Sequence, residues 1–214
     1  MILFLDTETS GLVQDSLPHD HPSQPHLVQL GCVLADDDGC TRATVDMIVK
    51  PEGYQIPKTA SDVHGITTET ALRCGLPLVL VVGVFVNLRA KADIIVAHNL
   101  PFDERVMATA IHRTGRKVSL PVPVQRFCTM EMAEPILKIP ATPRMVAAGR
   151  ANQFKKPNLK ECYKFFFDEE LAGAHNAIID AGACAKVYFQ MKRTGARSEK
   201  KTWFQRFVDY YQWS

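Results

Sequence analysis

The chain has 214 residues, of which 46% are hydrophobic and 22% charged, and a formal net charge of +2. That length supplies one substantial core, and nothing in the composition departs from an ordinary globular protein, which excludes the compositionally unusual classes. With a charge so near zero, the overall balance does not by itself advertise a nucleic-acid partner.

The opening Met1-Ile2-Leu3-Phe4-Leu5 runs straight into Asp6, without the basic lead and long apolar stretch of a signal peptide. The apolar run from Leu76 to Leu88 is interrupted by Pro77, Gly83 and Asn87 and is short for a bilayer. A soluble cytoplasmic protein with no membrane partner is the expectation. The cysteines at 32, 40, 74, 128, 162 and 184 are dispersed, with no Cys-x-x-Cys pair, and read as small buried hydrophobes and reduced thiols.

In chain order, Ile2 to Asp6 reads as a buried strand, Leu27 to Ala35 as a second and Thr41 to Val49 as a third. Asp36-Asp37-Asp38-Gly39 makes the hairpin turn between the last two. Ser10 to His26, rich in Pro, Ser, His and Asp, has no periodicity and reads as an exposed loop. Its His19, His21 and His26 read as solvated groups, since no ligand pair sits at a rigid helical spacing.

Leu76 to Leu88 stays open between a strand, favoured by its valines, and a buried helix, favoured by its length. Asp93 to Ala97 is a compact strand that runs directly into a helix, with Asn99 as its cap, Pro101 in the first turn and Asp103 just inside. A short apolar strand near Arg126 to Thr129 comes next. Asn158-Leu159-Lys160-Glu161 is a capping signature, after which Leu159, Cys162, Tyr163 and Phe166 share a helical face.

The last regular helix, from about Ala177 to Met191, lines up Ala177, Ala181, Cys184, Ala185 and Tyr188, small enough on average for close packing on a sheet. Residues 1–192 therefore form one mixed α/β domain, and 193–214 a basic, then aromatic tail that packs back on it. Between Lys138 and Lys164 the only acid among many cations is Glu161. Such a stretch is a solvated surface or a track for a phosphate backbone.

The chemistry concentrates in a few side chains. Residues two apart on a strand point to the same side, so Asp6 and Glu8 project together from the end of the first strand. Two close carboxylates raise each other's pKa unless a cation neutralises them, and hard oxygen ligands suit Mg²⁺ or Mn²⁺. Asp103 stands where ligands gather in α/β sheets, at a strand-to-helix junction, although a helix start welcomes an acid for its own sake.

His175 and Asp180 are five apart, about 140° around a helix axis, so His175 belongs in the loop before the helix and Asp180 in its opening turns. A histidine in a loop titrates near neutrality and suits a general base for water. Each piece alone is an ordinary surface group. Together they are the parts of a two-metal phosphodiesterase, in which two ions about 4 Å apart activate a water, hold the phosphate and stabilise the leaving oxygen.

Three motifs in order, Phe4-Leu5-Asp6-Thr7-Glu8-Thr9-Ser10-Gly11-Leu12, Ala97-His98-Asn99-Leu100-Pro101-Phe102-Asp103, and His175-Asn176-Ala177 through Asp180, resemble the DnaQ-like (DEDDh) 3′-to-5′ exonucleases. This family includes the proofreading subunit of bacterial DNA polymerase III, ribonuclease T and oligoribonuclease. His64-Gly65-Ile66-Thr67 resembles its loop beside the terminal nucleotide. The strand Phe127-Cys128-Thr129-Met130 and the helix start at Pro157 resemble a phage or bacterial subgroup.

The resemblance implies a ribonuclease H-like fold with a five-stranded mixed sheet flanked by helices, and Leu76 to Leu88 as a helix. It implies two Mg²⁺ or Mn²⁺ ions on Asp6, Glu8, Asp103 and Asp180, with His175 deprotonating the attacking water. By the same analogy Thr7, Thr9, Leu12 and Ile66 contact the 3′-terminal nucleotide, and Asn99 orders the site.

The leading reading is hydrolysis from a 3′ end of single-stranded or frayed DNA, with Lys155 and Lys156 on the phosphate backbone and a polymerase or replication partner. Its rivals are the same chemistry on RNA and a binding module that has lost its chemistry. A module of that kind is expected to lack one of the acids or the histidine, and all are present here.

Overall fold

A computed structural model describes residues 1–116 and 125–197 of the chain. It contains one five-stranded sheet in the order β3-β2-β1-β4-β5. The strands are β1 (Ile2–Thr9), β2 (Leu27–Ala35), β3 (Thr41–Ile48), β4 (Ile94–Ala97) and β5 (Gln125–Cys128). β1 pairs antiparallel with β2, and β2 with β3, while β4 runs parallel to both β1 and β5. The mixed sheet is the expected one, with β1 reaching three residues beyond the predicted Ile2 to Asp6.

Alternation along β1 sorts the helices to the two faces. Ile2 and Phe4, with Val33, Val96 and Phe127, pack against α8 (Ala177–Arg197), α7 (Leu159–Phe167) and α5 (Thr129–Leu137). Leu3 and Leu5, with Leu30, Cys32 and Ile95, pack against α3 (Leu78–Arg89) and α4 (Leu100–Arg113). Strands covered on both sides read as continuous apolar runs, which is why every residue of β2 is buried.

The valine-rich segment is a helix because Val81, Val82 and Phe85 close on the core as α3, a packing gain that outweighs β propensity. Val49 and Leu76 form an isolated parallel bridge just before it. Two short helices, α1 (Lys58–His64) and α2 (Thr68–Cys74), carry a small third cluster containing Ile56, Ala60 and Ile66. The described residues also contain α5, despite its internal Pro135, and α6 (Pro143–Ala147), neither of which is expected from the sequence.

Ser10 to His26 is irregular, as expected, but it is pinned to α4. Arg105 donates to the Leu17 carbonyl, Thr109 to that of His19 and Arg113 to those of Gln24 and Pro25. The buried Gln24 side chain bonds the loop to itself through Gln14, Leu17 and Pro18. His26 stacks on Tyr54 at 3.7 Å, and burial, then Arg113, push its pKa down to about 4. These groups donate and accept locally, and the one metal-compatible group among the described residues lies elsewhere.

All six cysteines are free, four of them buried. No described helix is long and apolar enough to cross a membrane. α8 runs on past residue 192, and the packing expected of the aromatic tail lies outside the described residues.

The start of α8 sits on bare backbone. Gly31 lies opposite Asp6 in the β1–β2 register, and a Cβ there would meet the Ala177 carbonyl carbon and oxygen at 2.2 Å. Gly31→Ala is therefore expected to destabilise the protein by about 2 kcal/mol or more, as overpacking does, measured by urea denaturation. A cost below about 0.5 kcal/mol, the surface level, would show that α8 is not seated as described.

Candidate active site

The site forms where β1 outruns its neighbour. β1 pairs with β4 only from Ile2 to Phe4, so Asp6 and Glu8 extend beyond β4 at the carboxyl ends of both strands, the place where open α/β sheets take ligands. By the alternation of β1, Asp6 and Glu8 share the α8 side with Ile2 and Phe4, and Thr7 points to the α4 side.

α8 brings the third acid. The backbone N–H of Ala177 donates to Gln29 Oε1 at 3.1 Å, and Gln29 is the cross-strand partner of Glu8, as Gly31 is of Asp6. The first turn of α8 is thus docked beside the two β1 carboxylates, and Asp180 enters with it. His175 precedes the helix in a left-handed conformation at φ 70°, and its backbone N–H donates to Asp180 Oδ2 at 2.9 Å. Ligand atoms of Glu8, His175 and Asp180 lie within 4.8 Å of one another, the one metal-compatible group among the described residues.

Asp103 arrives from the opposite face. It is 2% exposed, and Thr7 Oγ1 donates to its Oδ1 at 2.8 Å, so the α4-side residue of β1 holds the α4 acid to the strand. Asp103 sits in the first turn of α4, which β4 enters through Asn99 at φ 77°. Asn99 has the predicted cap position but makes no side-chain capping bond. The tight strand-to-helix turn needs a left-handed residue, and Asn tolerates that conformation.

Electrostatically the site is strained. Burial, then Asp103, Asp180 and Glu8, hold the Asp6 carboxyl well above the ordinary range. Burial and Asp180 push Glu8 up to about 7. Asp103 is raised by burial against the lowering effect of the Thr7 bond, and Asp180 by burial against the His175 N–H. Asp180 Oδ1 is buried without a hydrogen-bond partner. Acids this close, short of cations and with an orphaned oxygen, are a donor set suited to divalent ions.

The residues expected to meet substrate are less uniform. Thr7 is buried and engaged with Asp103, Ile66 is buried in the third cluster, and Thr9 donates to the Gly11 carbonyl. Leu12 is 83% exposed. Lys155 pairs with Glu161 at 2.5 Å and Lys156 with Glu131 at 3.5 Å. Gln29 and Gly31 escaped the sequence reading, although a glycine inside a strand signals close backbone approach.

The acids and His175 thus gather at a strand-to-helix crevice, where the fold leaves room for a ligand. The RNase_T exonuclease family model matches residues 3–188, and the chain belongs to this exonuclease family, within its DnaQ-like, 3′-to-5′ group. It is 26% identical over 190 residues to DNA polymerase III subunit epsilon of Buchnera aphidicola, spanning 88% of this chain and 71% of that one.

Its fold superposes on part of E. coli exonuclease I. The complex of that enzyme with a dT13 oligonucleotide superposes with a TM-score of 0.70 at 19% identity, over 98% of this chain and 42% of that one. Another exonuclease I structure gives 0.69 at 18% identity, over 90% and 40%. The chain thus spans about two fifths of the exonuclease I chains it matches, and the five-stranded sheet is the ribonuclease H-like one.

The raised pKa values give a signed prediction. A carboxyl whose folded pKa exceeds its unfolded one costs no stability while both states are protonated, near pH 4 and below. It costs increasingly as pH rises above about 4, where the unfolded state sheds its proton, up to about 8, where Asp103 ionises in the folded state. Asp103→Asn is expected to stabilise the metal-free protein by on the order of 1–3 kcal/mol at pH 8 and hardly at all at pH 4. Thermal melts in EDTA at the two pH values would refute this if the variant were the less stable one at pH 8.

Proposed function

We propose that the protein removes nucleotides from the 3′ end of single-stranded or frayed DNA, releasing nucleoside 5′-monophosphates. The observation that carries this is the convergence of Glu8 and Asp180 with His175, beside the carboxyls of Asp6 and Asp103. The epsilon-subunit relative is a part of DNA polymerase III, and exonuclease I neighbours are seen with dT13 and dA16 oligonucleotides. They favour DNA as substrate and a polymerase as partner, and a cytoplasmic setting belongs to the same reading.

Asp6, Glu8, Asp103 and Asp180 would hold two divalent ions, Mg²⁺ or Mn²⁺, which supply Lewis-acid charge to the phosphate and leaving oxygen. The protein's own part is positional. Asp180 fixes the His175 loop by accepting its backbone N–H. His175 then takes the proton of the attacking water at Nε2. Thr7 keeps Asp103 at the strand end. Thr9, Leu12, Ile66 and Asn99 border the terminal nucleotide.

A 5′-labelled DNA oligonucleotide with Mg²⁺ should give a ladder shortened from its 3′ end. EDTA or Asp6→Ala should abolish it, and His175→Ala should slow it roughly 10²–10⁴-fold. A matched RNA degraded faster would reassign the substrate. No ladder on either, in Mg²⁺ or Mn²⁺, would sink the catalytic reading in favour of a binding module.

A further inference from the structure

We propose that Lys160 is a phosphate-binding residue of the site, and that without substrate it occupies the proton-accepting nitrogen of His175. The inference rests on the exonuclease reading and adds to it a residue and a substrate-released contact. Lys160 Nζ lies 3.3 Å from His175 Nε2. An ammonium group donates and never accepts, so Nε2 is the acceptor in this contact, through the lone pair that must later take a proton from water.

Three observations mark this lysine out. The neighbouring cations face acids, Lys155 at Glu161 and Lys156 at Glu131, whereas Lys160 makes no ion pair among the described residues. It stands at the second position of α7, where the helix dipole disfavours a positive charge, so its charge does not serve the helix. Its charge also reaches Asp180.

The platform beneath it is rigid. Asn158 and Glu161 close a capping box at the start of α7. His98 locks the residue before it, with Nε2 3.0 Å from the Pro157 carbonyl and Nδ1 2.9 Å from the Thr129 hydroxyl. Burial pushes His98 down to about 4, so its neutral ring donates at Nε2 and accepts at Nδ1. The motif containing Asp103 therefore also fixes, through Pro157, the turn that aims Lys160 at His175.

An anionic phosphate is a stronger acceptor for an ammonium than a neutral imidazole, since it adds the Coulomb attraction of a full opposite charge to the hydrogen bond. When the strand enters, Nζ moves from Nε2 to a phosphate oxygen and keeps all its protons. Nε2 is left open to the water. Binding of the phosphate and release of the base are then one event.

The test uses the full chain and a labelled oligo-dT. Steady-state hydrolysis in Mg²⁺ is compared for wild type, Lys160→Met, Lys160→Arg and Lys156→Met, with binding to the metal-free proteins read by fluorescence anisotropy across salt concentrations. Lys160→Met is expected to raise KM and the metal-free Kd about tenfold, to leave kcat within about twofold and to flatten the salt slope by about one contact. Lys160→Arg should restore most of the affinity, and Lys156→Met should show the smaller change.

Unchanged Kd and salt slope in Lys160→Met would overturn the proposal, as would a loss confined to kcat. Should wild type hydrolyse nothing, the exonuclease reading fails, and the anisotropy comparison still decides for or against Lys160.

Discussion

The close approach of α8 to the backbone of β2 is the constraint on which the rest of the site depends. Glycine at 31 leaves room for the Ala177 carbonyl, and Gln29 satisfies the first free N–H of the helix. Because those two β2 residues stand opposite Asp6 and Glu8, the contact that seats the helix also delivers Asp180 and the His175 loop to the carboxylates. Packing and chemistry are joined at one register.

That seat must hold against repulsion. Four carboxyls of one sign, partly or wholly buried, are unfavourable together in the absence of cations, and their raised pKa values express this cost. The two apolar clusters on either face of the sheet supply the opposing stability. Strain of this kind concentrates where function is located.

Beyond the carboxylates, the fold fixes what surrounds them by bonding loop backbone to helix side chains. Arg105, Thr109 and Arg113 on α4 hold the Ser10–His26 segment, and His98 holds the turn before α7. Both sets belong to the β4–α4 unit that supplies Asp103. One strand-helix junction thereby organises an acid, the loop that follows β1 and the approach to His175.

Much of this was legible in sequence. The apolar alternation of the strands, the Asn158 capping box and the small-residue stripe of α8 are local signals with local causes. The acids and the histidine stand out through their motifs, and the fold brings Glu8, His175 and Asp180 together.

What the sequence could not supply were facts that exist only between distant segments. The helical state of the valine-rich α3, which periodicity leaves open and only the resemblance implies, is decided by burial of Val81, Val82 and Phe85. The engagement of Thr7 with Asp103 spans 96 positions, and the pairing of Lys155 and Lys156 with acids separates them from Lys160. Sequence determined which groups the protein owns, through periodicity and capping that act within a few residues. Tertiary structure alone decided which of them meet, because proximity across the sheet is set by register and close packing, which leave no local trace.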